Sequence, residues 1–64
     1  MTLMERRKKA GLSRLDVAHT TGVALITIGR YERGDRKPTA DNLVKLSKLY
    51  GCTIEELLGE NHVG

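Results

Sequence analysis

Ser13 to Pro38 reads SRLDVAHTTGVALITIGRYERGDRKP, and this stretch decides the fold. Two short helical segments, Arg14–Thr20 and Leu25–Arg33, flank a turn at Thr21-Gly22-Val23. Ala18 is small where two helices would cross closely, and Gly22 suits a turn position that needs positive φ. Val23 is placed to plug the angle between the helices, and Ile28 to anchor the second helix in a core. A glycine between two helices is a weak signal, but these four positions together predict a helix-turn-helix unit. Such a unit presents its second helix outward. A protruding helix fits the major groove of B-DNA, with its N-terminal residues against the base edges.

Working outward, the helix ends have recognisable starts. Thr2 with Glu5 has the pattern of a capping box, Ser13 with Asp16 repeats it with a shorter acid, and Thr53 with Glu56 repeats it in full. Thr39, just after Pro38, suits the N-cap of a fourth helix. Breaks fall at Gly11, Gly22, Gly34 with Pro38, Gly51 and Gly59. The predicted helices are Thr2–Ala10, Arg14–Thr20, Leu25–Arg33, Ala40–Leu49 and Ile54–Leu58. No strand-like alternation and no internal repeat is found.

The apolar residues keep helical spacing. Leu43, Leu46 and Leu49 form a stripe, Leu57 and Leu58 close the last helix, and Leu3, Ala10, Leu12, Val17, Ala18 and Ile28 supply the other walls. The expected core is aliphatic, without Phe or Trp. The fold class is therefore all-α, a compact bundle of about five short helices. The domain is expected to span residues 1–59, with a short tail at 60–64.

A chain of 64 residues allows one domain and no deep catalytic cleft. Eleven Lys and Arg stand against eight Asp and Glu, a net charge of +3. That balance favours a polyanionic partner, nucleic acid first and an anionic membrane surface second. No apolar run approaches the roughly 20 residues of a membrane span, and no apolar stretch follows the charged N-terminus as in a secretory leader. Cys52 is a single cysteine, excluding an intrachain disulfide, and its expected role is a small packing residue, with redox sensing as the alternative. His19 and His62 are too isolated to suggest a metal site. No catalytic set and no phosphate-binding glycine loop is present. The chain reads as a cytoplasmic protein that is not an enzyme, with no cofactor, no metal and no small-molecule substrate.

The sequence resembles the Cro/CI-type, or Xre, family of helix-turn-helix proteins found among phage repressors and bacterial regulators. The resemblance runs from about Leu3 to Gly59. It is carried by Gly11-Leu12-Ser13, Val17-Ala18, Gly22-Val23, Ile28, Tyr31-Glu32-Arg33-Gly34, Lys37-Pro38 and Glu55-Glu56-Leu57-Leu58-Gly59. It implies a lambda-repressor-like DNA-binding domain, a near-palindromic double-stranded DNA operator as partner, and a homodimer with its interface near the last helix, where Tyr50 would be partly exposed. The implied activity is transcriptional regulation by repression.

The resemblance also implies roles for single residues. Arg7 on the first helix pairs with Glu32 at the end of the third, or else is one more basic surface residue. Arg14 stands where the family often has a Gln on a phosphate, and the helix start at Ser13 and Arg14 offers N–H groups to a phosphate. Thr27, Arg33, Arg36 and Lys37 read as phosphate contacts, with Arg36 or Lys37 alternatively over a minor groove. Arg30 reads a guanine or holds a phosphate, and Gly29 lets the helix approach DNA closely. In the run Arg6 to Lys9, helical phase allows only part to face DNA, and the run reads first as a solvated helix face.

The third helix departs most from the family pattern. Its first exposed positions are Leu25 and Ile26, with Ala24 where an N-cap hydroxyl would stand. Both can touch thymine C5-methyl groups, the apolar feature of the major groove. The competing reading is that the two form a protein-binding patch, to which Leu15 would add, or are partly buried. On that reading the chain is an antitoxin-like or other interaction subunit that keeps the fold.

Overall fold

In the computed structural model, residues 1–61 are described, with side chains as far as Leu58. Hydroxyl–carboxylate pairs start three of the five α-helices among these residues. Thr2 accepts from the Glu5 amide at 3.1 Å while Glu5 accepts from the Thr2 amide at 2.7 Å, opening α1, Leu3–Lys9. Ser13 and Asp16 open α2, Arg14–Thr21, in the same reciprocal way at 3.0 and 2.9 Å. Thr53 and Glu56 open α5, Ile54–Asn61, at 3.0 Å each. Thr39 alone caps α4, Ala40–Tyr50, through the Asn42 amide at 3.2 Å. The remaining helix, α3, Leu25–Arg33, starts from Ala24 with no side-chain cap.

The helix ends differ from expectation by small amounts. Thr2 and Ala10 are caps of α1 rather than members. Thr21 joins α2 and Tyr50 joins α4. The largest change is at Gly59, expected as a break but lying inside α5. Glycine costs a helix about 1 kcal/mol relative to alanine and does not forbid it. The remainder of the expected tail, with His62, lies outside the described residues.

The turn between α2 and α3 is built as its sequence requires. Gly22 takes φ +75°, and its amide bonds back to the Ala18 carbonyl at 2.9 Å. The Thr21 hydroxyl donates to the Val17 carbonyl at 2.7 Å and accepts from the Val23 amide at 3.2 Å. Thr21 is thus buried without an unmet polar group, and Val23 drops into the core beside it.

The core joins Leu3, Val17, Val23, Ile28, Tyr31, Leu43, Leu46 and Leu57. Tyr31 corrects the expectation of a purely aliphatic centre: it is 2% exposed, and its hydroxyl accepts from Asn42 Nδ2 at 2.9 Å. Two expected members are outside. Leu58 is 50% exposed, because Leu57 takes the inward position and the next residue turns about 100° away. Ala10 is exposed at the end of α1. Leu12, Ala18, Leu49 and Cys52 are partly buried against the core.

Candidate nucleic-acid interface

Ile28 and Tyr31 bury one side of α3 and thereby fix which side faces out. At about 100° per residue, Ile26, Arg30 and Arg33 fall on the outward face, with Leu25 and Gly29 beside them. Leu25 is 48% and Ile26 62% exposed. Both therefore present apolar surface, Leu25 with about half of its own covered by the chain. Arg30, Arg36 and Lys37 are exposed, the last two in the link between α3 and α4, and Thr27 is half-buried on the flank of α3. Leu15, on the first turn of α2, is 65% exposed.

Glu32 lies at the inner end of α3 with its side chain only 3% exposed, and it holds two arginines. Arg7 from α1 donates through Nε at 2.6 Å and Nη2 at 3.3 Å, and its Nη1 reaches the Leu12 carbonyl at 2.9 Å. The bond to Glu32 holds the Arg7 guanidinium more firmly protonated than usual. Arg14, at the start of α2, donates through Nε to the second carboxylate oxygen at 3.1 Å with its side chain 46% exposed. One carboxylate therefore serves two guanidinium groups, so the trio carries one net positive charge, with the Asp16 carboxylate also in the first turn of α2. Ser13 is occupied by its capping box with Asp16.

Arg33 is exposed but paired. Its Nε donates to Asp35 Oδ2 at 3.0 Å, and its Nη1 lies 3.3 Å from where a Cβ on Gly29 would be. The basic run on α1 splits by phase: Arg7 is buried, Arg6 bonds Glu56 of α5 at 3.1 Å, and Lys8 and Lys9 face solvent. Tyr50 is half-buried, and burial, followed by the Glu32 charge, pushes its hydroxyl up to about 12.

Sequence reasoning missed the Arg14–Glu32, Arg33–Asp35 and Arg6–Glu56 contacts. The middle pair is two residues apart and could have been suspected. The last joins residues fifty apart and carries no local signal. Among the described residues, no group of three or more His, Cys, Asp or Glu could hold a metal ion, and no helix is long and apolar enough to cross a membrane. Surface hollows of about 290 and 340 Å³ are lined by α1, α2 and α4 residues and the ends of those helices, not by α3.

Comparison with known proteins fits this geometry. Residues 3–57 match the family described as Helix-turn-helix. The chain is 38% identical over 61 residues to the HTH-type transcriptional regulator ImmR of Bacillus subtilis, covering 95% of this chain and 48% of that protein. It is 33% identical over 57 residues to the cryptic phage CTXphi transcriptional repressor RstR of Vibrio cholerae, covering 89% and 51%. It is 34% identical over 53 residues to repressor protein C2 of Salmonella phage P22, covering 83% and 24%. The chain thus spans about half or less of the length of these curated relatives. No solved structure matches. With the turn at Gly22, the outward α3 and a match over nearly the whole chain, the protein belongs to the helix-turn-helix family of Xre type.

Proposed function

We propose that this domain binds double-stranded DNA by sequence through the major groove and acts as a transcriptional repressor. The observation that carries the reading is α3, held from behind by Ile28 and Tyr31 and set among exposed cations on its outer side. Relatives named as transcriptional regulators and repressors support it. Arg14, Arg36 and Lys37, with Thr27 and the Ser13 end of α2, take phosphates. Arg30 takes a guanine edge and Leu25 and Ile26 take thymine methyls. The protein acts in the cytoplasm as a DNA-binding regulator rather than an enzyme. It binds a near-palindromic operator as a homodimer through α5 and the segment 57–64, the end of which lies outside the described residues. Residues 1–59 are read as the binding domain and 60–64 as its tail.

Duplex binding measured against salt concentration tests this. Phosphate neutralisation gives a steep negative slope of log affinity against log salt, and Arg36→Ala or Lys37→Ala should reduce that slope by about one while weakening all sequences alike. A second reading, a protein-interaction or antitoxin-like subunit, is favoured by the exposure of Leu15, Leu25 and Ile26. It requires no such slope, so a flat salt response would select it. Footprinting should show two half-sites about one DNA turn, roughly 34–36 Å, apart. One protected half-site at saturation would exclude the dimer.

A further inference from the structure

Gly29 lies beside the outward face of α3 and is nonetheless buried. Arg33 lies against it: a Cβ on Gly29 would meet Arg33 Nη1 at 3.3 Å. Helix side chains lean toward the N-terminus, so Arg33 reaches back one turn and lays its guanidinium across the glycine. Asp35 accepts from Arg33 Nε at 3.0 Å and fixes the guanidinium from the other end. That bond uses Nε, which leaves the Nη1 and Nη2 donors for a ligand.

We infer that Arg33, seated on Gly29 and aimed by Asp35, reads a guanine edge in the major groove instead of holding a phosphate. This rests on α3 being the DNA-reading helix. Two features separate a base reader from a phosphate contact. Position is the first: the guanidinium lies over Gly29, on the helix beside the face that carries Ile26 and Arg30, whereas phosphates border the groove on either side of an inserted helix. Charge is the second. Asp35 offsets the charge of Arg33 and would repel a phosphate, so it weakens a backbone contact. Guanine O6 and N7 are neutral acceptors that need two donors held in a set plane, and a neighbouring carboxylate supplies that restraint. Gly29 is then a seat for Arg33, not an opening for the DNA backbone, and Arg33 leaves the phosphate set of the sequence reading. Asp35 is a positioning residue.

The test is selection of bound sites from random duplexes, with affinity and thermal stability measured for each variant. Arg33→Ala should erase preference for guanine at one base pair of each half-site, lowering discrimination there roughly ten-fold or more while other positions keep theirs. Asp35→Ala should lower discrimination at that same base pair without weakening binding to random duplex. Gly29→Ala should raise thermal stability through better helix propensity. Its Cβ should also push the guanidinium by a few tenths of an ångström out of its plane and lower discrimination at that base pair, an effect a merely structural glycine would not produce. Uniform weakening by Arg33→Ala across all sequences, with the salt slope reduced by about one, would return Arg33 to a phosphate and overturn the inference. Unaltered discrimination in Gly29→Ala would remove the seat and overturn it as well. If the unmodified protein shows no salt-dependent duplex binding, the DNA reading itself fails and takes this inference with it. Retained binding with unchanged base preference in Arg33→Ala defeats only the assignment of Arg33.

Discussion

Arg7 and Glu32 join the first and third helices through a 2.6 Å ion pair whose side chains are 10% and 3% exposed. The pair fixes the inner end of α3 against α1, so the orientation of the outward face depends on it. Desolvation removes much of what the attraction contributes, but leaving one partner behind strands a charge. Three substitutions should therefore rank in order. Glu32→Ala leaves Arg7 with the Leu12 carbonyl alone and should cost about 3–5 kcal/mol, enough to unfold much of so small a domain. Arg7→Ala should cost somewhat less, because Glu32 keeps Arg14. Arg14→Ala removes a half-exposed partner and should cost under about 1 kcal/mol. Urea unfolding checks the ranking, and a stable Glu32→Ala protein would show that the pair does not hold α3.

Among the described helices, α3 is the one that begins without a side-chain cap. Ala24 has a polyproline-like backbone, φ −59° and ψ 141°, and no side-chain oxygen to offer. Ala24→Ser should raise stability by about 1 kcal/mol. Ala24→Asp should stabilise similarly, helped by the helix dipole, yet place a carboxylate at the end of α3 proposed to enter the groove. Unfolding curves and duplex titrations should then move in opposite directions for Ala24→Asp and not for Ala24→Ser. Parallel weakening of both would mean that position 24 cannot accept a capping geometry.

Stability should fall at both ends of the pH range, for different groups. Backbone amides at Thr2, Ser13 and Thr53 hold the Glu5, Asp16 and Glu56 carboxyls below their ordinary values of 4.5, 3.8 and 4.5. A depressed folded value gives stability that is present above the ordinary value and lost as pH falls through the folded one. Acid destabilisation should therefore begin near pH 4.5 and deepen below it. Replacing all three with their amides should flatten that limb. Tyr50 works in the opposite sense: its hydroxyl is raised from 10 to about 12, so its contribution is full below 10 and lost as pH rises through 12. Tyr50→Phe should remove this alkaline loss in unfolding followed by near-UV absorbance.

Helix starts and the central turn were legible because their signals are local. Thr2 with Glu5, Ser13 with Asp16 and Thr53 with Glu56 are three residues apart, and Gly22 needs only its own backbone. Contacts that cross the bundle were not legible in the same way. Tyr31 was not among the expected core residues, and the approach of Asn42 from α4 is what gives its hydroxyl a partner inside. Arg14 and Arg33 each looked like an open cation, and each is tied to a carboxylate. Charge counts identify a basic surface but not which cations are already engaged.

The apolar start of α3 gives the sharpest prediction about the operator. Leu25 and Ile26 are 48% and 62% exposed directly after the turn, with no hydrogen-bonding atom in either side chain. In the major groove they gain free energy only against apolar groups, and the thymine C5-methyl is that group. Operators should carry thymines opposite these positions. Replacing those thymines with uracil removes the methyls and preserves every hydrogen-bonding edge. The change should weaken binding by about 1 kcal/mol for each methyl buried in the complex. Ile26→Ala should bind more weakly to the thymine operator and lose most of its sensitivity to uracil. Equal affinity of the intact protein for both operators would show that the pair does not read methyls. Leu25, Ile26 and Leu15 would then be better explained as a surface for a protein partner.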